Sequence, residues 1–210
     1  MEQLLQPSKQ ERSRKTQARI LDATARLLEV MPFEKITVRT IVAEAETSIG
    51  SFYARFRDKD ALLPVLFAQD EARLDRRLAQ LRESVNAATS LTAVADFIAD
   101  HFMHFYGDNP NLSKAVFGYI MRNEDPVESR AHSEHRLQQY DFLIEVLLRF
   151  RSDFSHADAS RAVKWGLYFL TVSCRNRLFF PDAPLSRTLK ISKKELKTEL
   201  SRLLVGYLTT

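Results

Sequence analysis

Residues Thr37 to Lys59, TVRTIVAEAETSIGSFYARFRDK, decide how the chain is read. Two short helical patterns meet there across a polar turn. Ile41, Val42 and Ala45 give the first an apolar edge, and Phe52 and Phe56 give the second a matching edge on which the pair can close. The other side of the second pattern holds only Ser48, Gly50 and Ser51, so nothing bulky blocks close approach to a duplex. A segment this short and this polar on one face has little to contribute by packing alone.

The flanks support the same division. Thr37 is suited to cap the first short helix, Ser48 or Thr47 the second, and Asp58 the helix that follows, because each can accept from free amides of a first turn. Upstream, Ile20, Leu27, Leu28 and Met31 recur at helical spacing until Pro32-Phe33 ends the helix. The start of the chain is basic. Lys9, Arg12, Arg14, Lys15 and Arg19 face only Glu2 and Glu11 in residues 1–19. Residues 1–10 read as a mobile arm, and its continuation Glu11 to Arg19 reads either as a contact to phosphates or a minor groove, or as a solvated helix start.

Downstream, Leu62, Leu63, Leu66, Leu74, Leu78 and Leu81 predict a long helix from Asp58, with Pro64 tolerated in its first turns. Polar breaks at Asn86 to Ser90, Gly107 to Pro110 and Asn123 to Pro126 separate further helices over Leu91 to Tyr106, Leu112 to Arg122 and Val127 to Arg151. Ala159 to Phe180 is apolar around most of its circumference, which predicts burial within its own subunit or against another. Pro181 to Ser192 reads as irregular, with Pro181 and Pro184 as breakers. Lys193 to Leu208 closes the chain with a stripe of Leu196, Leu200, Leu203, Leu204 and Tyr207.

With 210 residues the chain can bury a substantial core without a staple. Five Gly and seven Pro leave little scope for a sheet of many tight turns, and the periodicity indicates an all-α protein. The single Cys174 excludes an internal disulfide and fits a reducing compartment. No apolar run approaches a bilayer span, and the expected location is cytoplasmic, with no membrane partner. The formal net charge of +4 is too mild for a chain that coats nucleic acid indiscriminately.

Ile20-Leu21, Thr37-Val38, Thr47-Ser48, the run Ser48-Ile49-Gly50-Ser51-Phe52-Tyr53, Phe56 and Lys59 together resemble the TetR/AcrR family of transcriptional regulators. The resemblance covers about the first quarter of the chain. It implies a three-helix DNA-binding head with a helix-turn-helix over residues 11–57, then a helical ligand-binding and dimerisation domain over 58–210. Ser48 to Ala54 then becomes the recognition helix, with Ile49, Gly50 and Ser51 facing bases or nearby phosphates. Arg39 matches a position that reaches a base edge in some members and is the residue best suited to a guanine. Thr37, Tyr53 and Lys59 match phosphate-contacting positions.

Two positions depart from the family pattern. Glu46 stands where the turn usually has Gly, and a left-handed non-Gly residue costs about 1–2 kcal/mol, so a slightly reshaped turn is expected. Arg55 stands where a His is common, which keeps a donor near phosphate.

The resemblance also implies a homodimer, with Ala159 to Phe180 and Lys193 to Leu208 forming a four-helix bundle with their copies, so that paired heads read a palindromic double-stranded operator. It implies a small-molecule effector in the carboxy-terminal domain, for which Phe102, Phe105, Phe117, Tyr119, Met121, Trp165, Tyr168 and Phe169 are the candidate lining. The expected activity is repression relieved by a small hydrophobic effector. The alternatives are an architectural protein that binds DNA without sequence choice, or a metal-binding helical bundle.

The metal reading starts from His101 with His104 and His132 with His135, spaced three apart, with Asp100, Glu128 and Glu134 nearby. The spacing fits neither a zinc signature nor the Glu-x-x-His pairs of di-metal bundles, so no metal ligand is assigned. There is no Gly-rich phosphate loop and no nucleophile motif, so neither a catalytic residue nor a cofactor is expected.

Overall fold

The computed structural model describes residues 9–85, 90–122 and 126–210, and the side chains of 10–85, 90–122 and 134–210. Of the arm expected over residues 1–10, residues 1–8 lie outside the described residues and Lys9 and Gln10 already belong to a helix; residues 86–89 and 123–125 of the expected breaks also lie outside the described residues. All regular structure among the described residues is helical. The chain divides into two compact units, residues 1–70 with 111–119, and residues 71–110 with 120–210.

The first unit is built on α1 (Lys9–Val30), which packs on α2 (Val38–Glu44) and α3 (Ile49–Tyr53). A 3-10 turn over Phe33–Lys35 follows Pro32, and the first turns of α4 (Leu62–Val85) belong to the same unit. Ile20, Leu28, Ile36, Ile41, Phe52, Leu62 and Leu63 are among its fully buried side chains. Most of α6 (Pro110–Arg122) returns to this unit, where Asn111 Nδ2 donates to the Leu28 carbonyl at 2.8 Å. That carbonyl lies in the last turn of α1, where partners within the helix run out.

The second unit contains the rest of α4, α5 (Leu91–Gly107), α7 (Pro126–Leu148), α8 (Ala159–Phe179), α9 (Pro184–Leu189) and α10 (Lys193–Thr209). Helix α10 packs on α5 and α8, and α8 also packs on α5 and α7. Gly166 lets α8 and α10 approach closely, since a Cβ there would stand 2.8 Å from Leu204 Cδ1. Ser192 and Glu195 close a reciprocal capping box at the start of α10. At its far end the carbonyls of Tyr207, Leu208 and Thr209 accept from His156 Nε2, Ser155 N and Ser155 Oγ, which ties the α7–α8 connection to the last turns of α10.

Three expected segments differ. Helix α4 begins at Leu62 and not at the expected Asp58, because residues 57–61 form a turn in which Asp58 accepts from the Ala61 amide. Pro184 begins a helix where a break was expected: it is the first residue of α9, where its missing amide costs nothing and its fixed φ favours the turn. Helix α7 stops at Leu148, and a 3-10 turn over Arg151–Asp153 replaces its expected last turn. No helix among the described residues is long and apolar enough to cross a membrane.

Candidate nucleic-acid interface

The two short helices are fixed by their caps. Thr37 Oγ1 accepts from the Thr40 amide at 3.1 Å, and Ser48 Oγ accepts from the Ser51 amide at 3.1 Å. Asp58 Oδ1 accepts from the Ala61 amide at 2.9 Å just ahead of α4. A hydrogen bond from Arg57, then that amide, holds the Asp58 carboxyl below its ordinary range. The turn between α2 and α3 keeps the left-handed geometry, contrary to the expected reshaping: Glu46 has φ 48°. Its side chain is exposed, and the Thr47 amide still reaches the Val42 carbonyl at 2.9 Å, so the strain leaves the motif intact.

Phe52 is fully buried, and its ring meets Phe56 at 5.6 Å and the edge of Tyr53 at 5.4 Å. With α3 anchored by these rings, its other face is open. Ile49 is 44% exposed and Tyr53 56%, and Ser48 and Gly50 are exposed beside them. Gly50 has no packing neighbour to spare, because a Cβ there would meet only Ser48 Oγ at 3.9 Å. Thr37 and Arg39 are exposed, while Ser51 is half-buried. Arg39 makes no hydrogen bond or ion pair among the described residues.

Two expected phosphate donors are committed elsewhere. Lys59 donates to the carbonyls of Phe33 at 2.7 Å and Ile36 at 2.9 Å, and its ammonium lies 4.2 Å from the centre of the Phe33 ring. It ties the segment just before α4 to both ends of the 3-10 turn, at Phe33 and Ile36. Arg55 Nε donates to Ser13 O at 3.2 Å and Nη1 to Ser51 O at 2.7 Å, which joins α1 to α3. Sequence spacing conceals both ties, since the carbonyl partners of Lys59 lie 26 and 23 residues away.

In the second unit the candidate ligand residues do not converge. Phe102 is core, stacked between Tyr106 at 6.3 Å and Tyr140 at 6.0 Å, and Phe105 is buried under the Arg136 guanidinium at 3.7 Å. Phe117 and Tyr119 belong to the first unit, and Met121 is exposed. Trp165 and Phe169 stack at 5.4 Å on an exposed face of α8, and Phe169 meets Tyr207 of α10 edge-on at 5.5 Å. Helix α8 is thus buried on one side only.

Tyr168 alone of the eight lines a cleft between α7 and α8. The opening measures about 560 Å³. Leu137, Ile144, Leu167 and Val172 supply its apolar wall, and Tyr140, Asp141, Lys164, Thr171 and Arg175 its polar groups. These residues sit at ordinary helical spacing, and only the pairing of α7 with α8 brings them together.

Residues 20–66 match the model of the bacterial regulatory proteins of the tetR family. That stretch, within the first unit, is similar to the tetR family. No curated protein matches the sequence. Among solved structures, the chain resembles the transcriptional regulator FadR of Bacillus subtilis in complex with stearoyl-CoA, at 16% identity over 91% of this chain and 99% of that one, with a TM-score of 0.61. NalD of Pseudomonas aeruginosa, the secondary repressor of the MexAB-OprM multidrug efflux pump, is 17% identical over 94% and 98%, at 0.60. PfmR of Thermus thermophilus, a TetR-family regulator, is 20% identical over 90% and 97%, at 0.59. Identities this low carry likeness of fold.

The histidines take separate roles. His101 is buried, and burial followed by the nearby Arg136 and Arg77 cations pushes its pKa down to about 3. His104 bonds Asp108 at 2.9 Å, and His135 pairs with Asp75 at 3.2 Å. The side chains of His132 and Glu128 lie outside the described residues. No group of three or more metal-capable side chains gathers among those described.

Proposed function

We propose that this regulator binds a palindromic double-stranded operator as a homodimer, and that a small hydrophobic effector releases it, which makes it a repressor. The observation that carries the DNA reading is the open face of α3. Ile49, Gly50 and Tyr53 are exposed together on a helix held by two buried rings, with the uncommitted Arg39 on the neighbouring helix. In this reading Arg39 addresses a base edge. Thr37, Ser48, Ser51 and Tyr53 contact phosphate or sugar, and Ile49 and Gly50 lie closest to the groove.

The exposed stack of Trp165 and Phe169, continued by Tyr168 and by Tyr207, supports pairing through α8 and α10, because a face of this kind is ordinarily covered. Two heads so joined would present their recognition helices to half-sites one helical turn apart. The α7–α8 cleft supports an effector of drug-like size. The bound stearoyl-CoA of the Bacillus subtilis relative and the efflux-pump setting of NalD agree with apolar effectors. Near-complete release requires the effector to favour the released conformation by up to ~5.5 kcal/mol. The protein would act in the cytoplasm, without catalysis or cofactor of its own.

Selection of bound duplexes from a random pool tests this reading, followed by salt titration on the winner and a scrambled control. The expected result is a palindromic winner bound far more tightly than the control. Equal, steeply salt-dependent binding to both would identify an architectural DNA binder instead. Arg39→Ala is expected to relax preference at one base position at a cost of about 1–3 kcal/mol, whereas Tyr53→Phe should weaken all sequences alike. An unchanged ranking of operator variants by Arg39→Ala would remove that residue from base reading.

A further inference from the structure

Lys164, Leu167, Thr171 and Arg175 recur along α8 at i, i+3, i+7 and i+11, so they share one face, with about 16 Å of helix between the two cations. Asp141 and Ile144 face this stripe from α7, and the walls meet where Tyr140 Oη donates to Thr171 Oγ1 at 3.4 Å. Leu167 and Thr171 are buried, and Ile144 and Val172 are half-buried. Lys164 and Asp141 are exposed. The depth of the α7–α8 cleft is therefore mainly apolar, and charge stands at its mouth.

The two cations differ in how far they are committed. Arg175 already has an interaction of its own. Lys164 makes no hydrogen bond or ion pair among the described residues, although Asp141 lines the same cleft and is likewise without a partner among them. Two cations against one carboxylate leave one net positive charge on the lining, which favours an anion over a cation. An apolar trough that ends at an uncommitted ammonium suits a molecule with an acid group at one end and hydrocarbon along the rest. Burial of the hydrocarbon supplies affinity, and the ammonium fixes which way round the molecule lies.

We infer that the cleft takes an amphipathic organic acid, its anionic group on Lys164 and its apolar chain along Leu167, Ile144 and Val172 toward Arg175. The inference rests on the effector reading of this cleft and narrows it from apolar molecules in general to apolar acids.

Calorimetry on the full chain at neutral pH tests it, with decanoate, decanol and decylammonium, which share one chain and differ in the charge of the head group. Decanoate is expected to bind about tenfold more tightly than decanol, since a hydrogen bond to a charged group outweighs a neutral one and exposure at Lys164 trims the gain. Decylammonium should bind more weakly than either. Lys164→Gln should bring decanoate down to the level of decanol, Lys164→Arg should keep the preference, and Lys164→Glu should turn it toward decylammonium. Lys164 is exposed, so these variants leave the core untouched, and their binding of decanol shows that the cleft is intact. Equal binding of decanoate and decanol by the parent overturns the inference and spares a purely apolar effector site. Tightest binding of decylammonium overturns it in favour of Asp141 as the anchor. A preference for decanoate that survives both Lys164→Gln and Lys164→Glu overturns it too, because the acid is then held elsewhere. Binding of none of the three overturns the inference and the effector reading of the cleft together. Decanoate should also release the selected duplex at a concentration where decanol does not. The expected binding pattern without release supports the assignment of the cleft and overturns only its effector role.

Discussion

Glu46 and Gly50 lie four positions apart and invert the usual placement of glycine. The left-handed turn residue is a glutamate at φ 48°, and the glycine sits inside a helix with open space where its side chain would be. Folding alone would favour the reverse. Glu46→Gly should remove about 1–2 kcal/mol of left-handed strain, offset by the ~0.5–1 kcal/mol of extra freedom that glycine gives the unfolded chain. Denaturant unfolding should show a small net gain for Glu46→Gly and none for Glu46→Ala. Gly50→Ala should stabilise the head by about 0.5–1 kcal/mol, because alanine loses less entropy in a helix. If a duplex approaches α3 closely at Gly50, the same variant should bind the selected duplex at least about tenfold more weakly, or ~1.4 kcal/mol. Undiminished binding would show that the duplex does not approach the backbone there. Lys59→Ala should behave in the opposite sense. Its two hydrogen bonds to carbonyls are internal, so thermal unfolding should reveal a loss of about 1–2 kcal/mol.

At the scale of elements, α8 and α10 present an unfinished surface. Gly166 seats one helix on the other, while Trp165, Tyr168 and Phe169 remain exposed beside Tyr207. Phe169→Glu places a charge in the middle of that face and leaves the buried side of α8 alone. The expected outcome is a monomer by light scattering with parental helicity, and an unchanged dimer mass would move the interface elsewhere. The same elements mark what the sequence could convey. The head was legible because caps are local: Thr37 and Ser48 bond amides three residues on, and the spacing SIGSFY separates Phe52 from its open neighbours. The ligand residues were not, because Phe102 and Trp165 are both aromatic at helical spacing, and only packing sends one into the core and the other to the surface. Pro184 was ambiguous for a related reason. A proline that ends one helix and a proline that begins another look alike until the chain's direction on either side is known.

For the molecule as a whole, the response to acid follows from which charges folding buries. His101 is held neutral in the core, by burial first and by Arg136 and Arg77 next, with a folded pKa of about 3 against an ordinary 6.5. Because its folded value is the lower, the unfolded chain binds the extra proton. Its stabilising contribution is therefore complete above about pH 6.5 and declines as pH falls toward 3. The limiting slope for one proton is about 1.4 kcal/mol per pH unit. Asp100 shifts downward as well. Burial opposes its ionisation, but the hydrogen bond from Lys197 and the charges of Lys197, His104 and Arg77 outweigh that opposition. A carboxyl with a depressed folded pKa contributes fully above its ordinary value near 3.8 and loses that contribution only below it. The two effects consequently separate. Between about pH 6.5 and about pH 4.5 the histidine titrates in the unfolded chain while Asp58 and Asp100 remain ionised in both states. Urea midpoints measured across this window should fall for the parent and fall less steeply for His101→Met, which fills the same site without a proton to bind. Parallel declines would mean that His101 accepts its proton in the folded core, and that the cations around it do not exclude one.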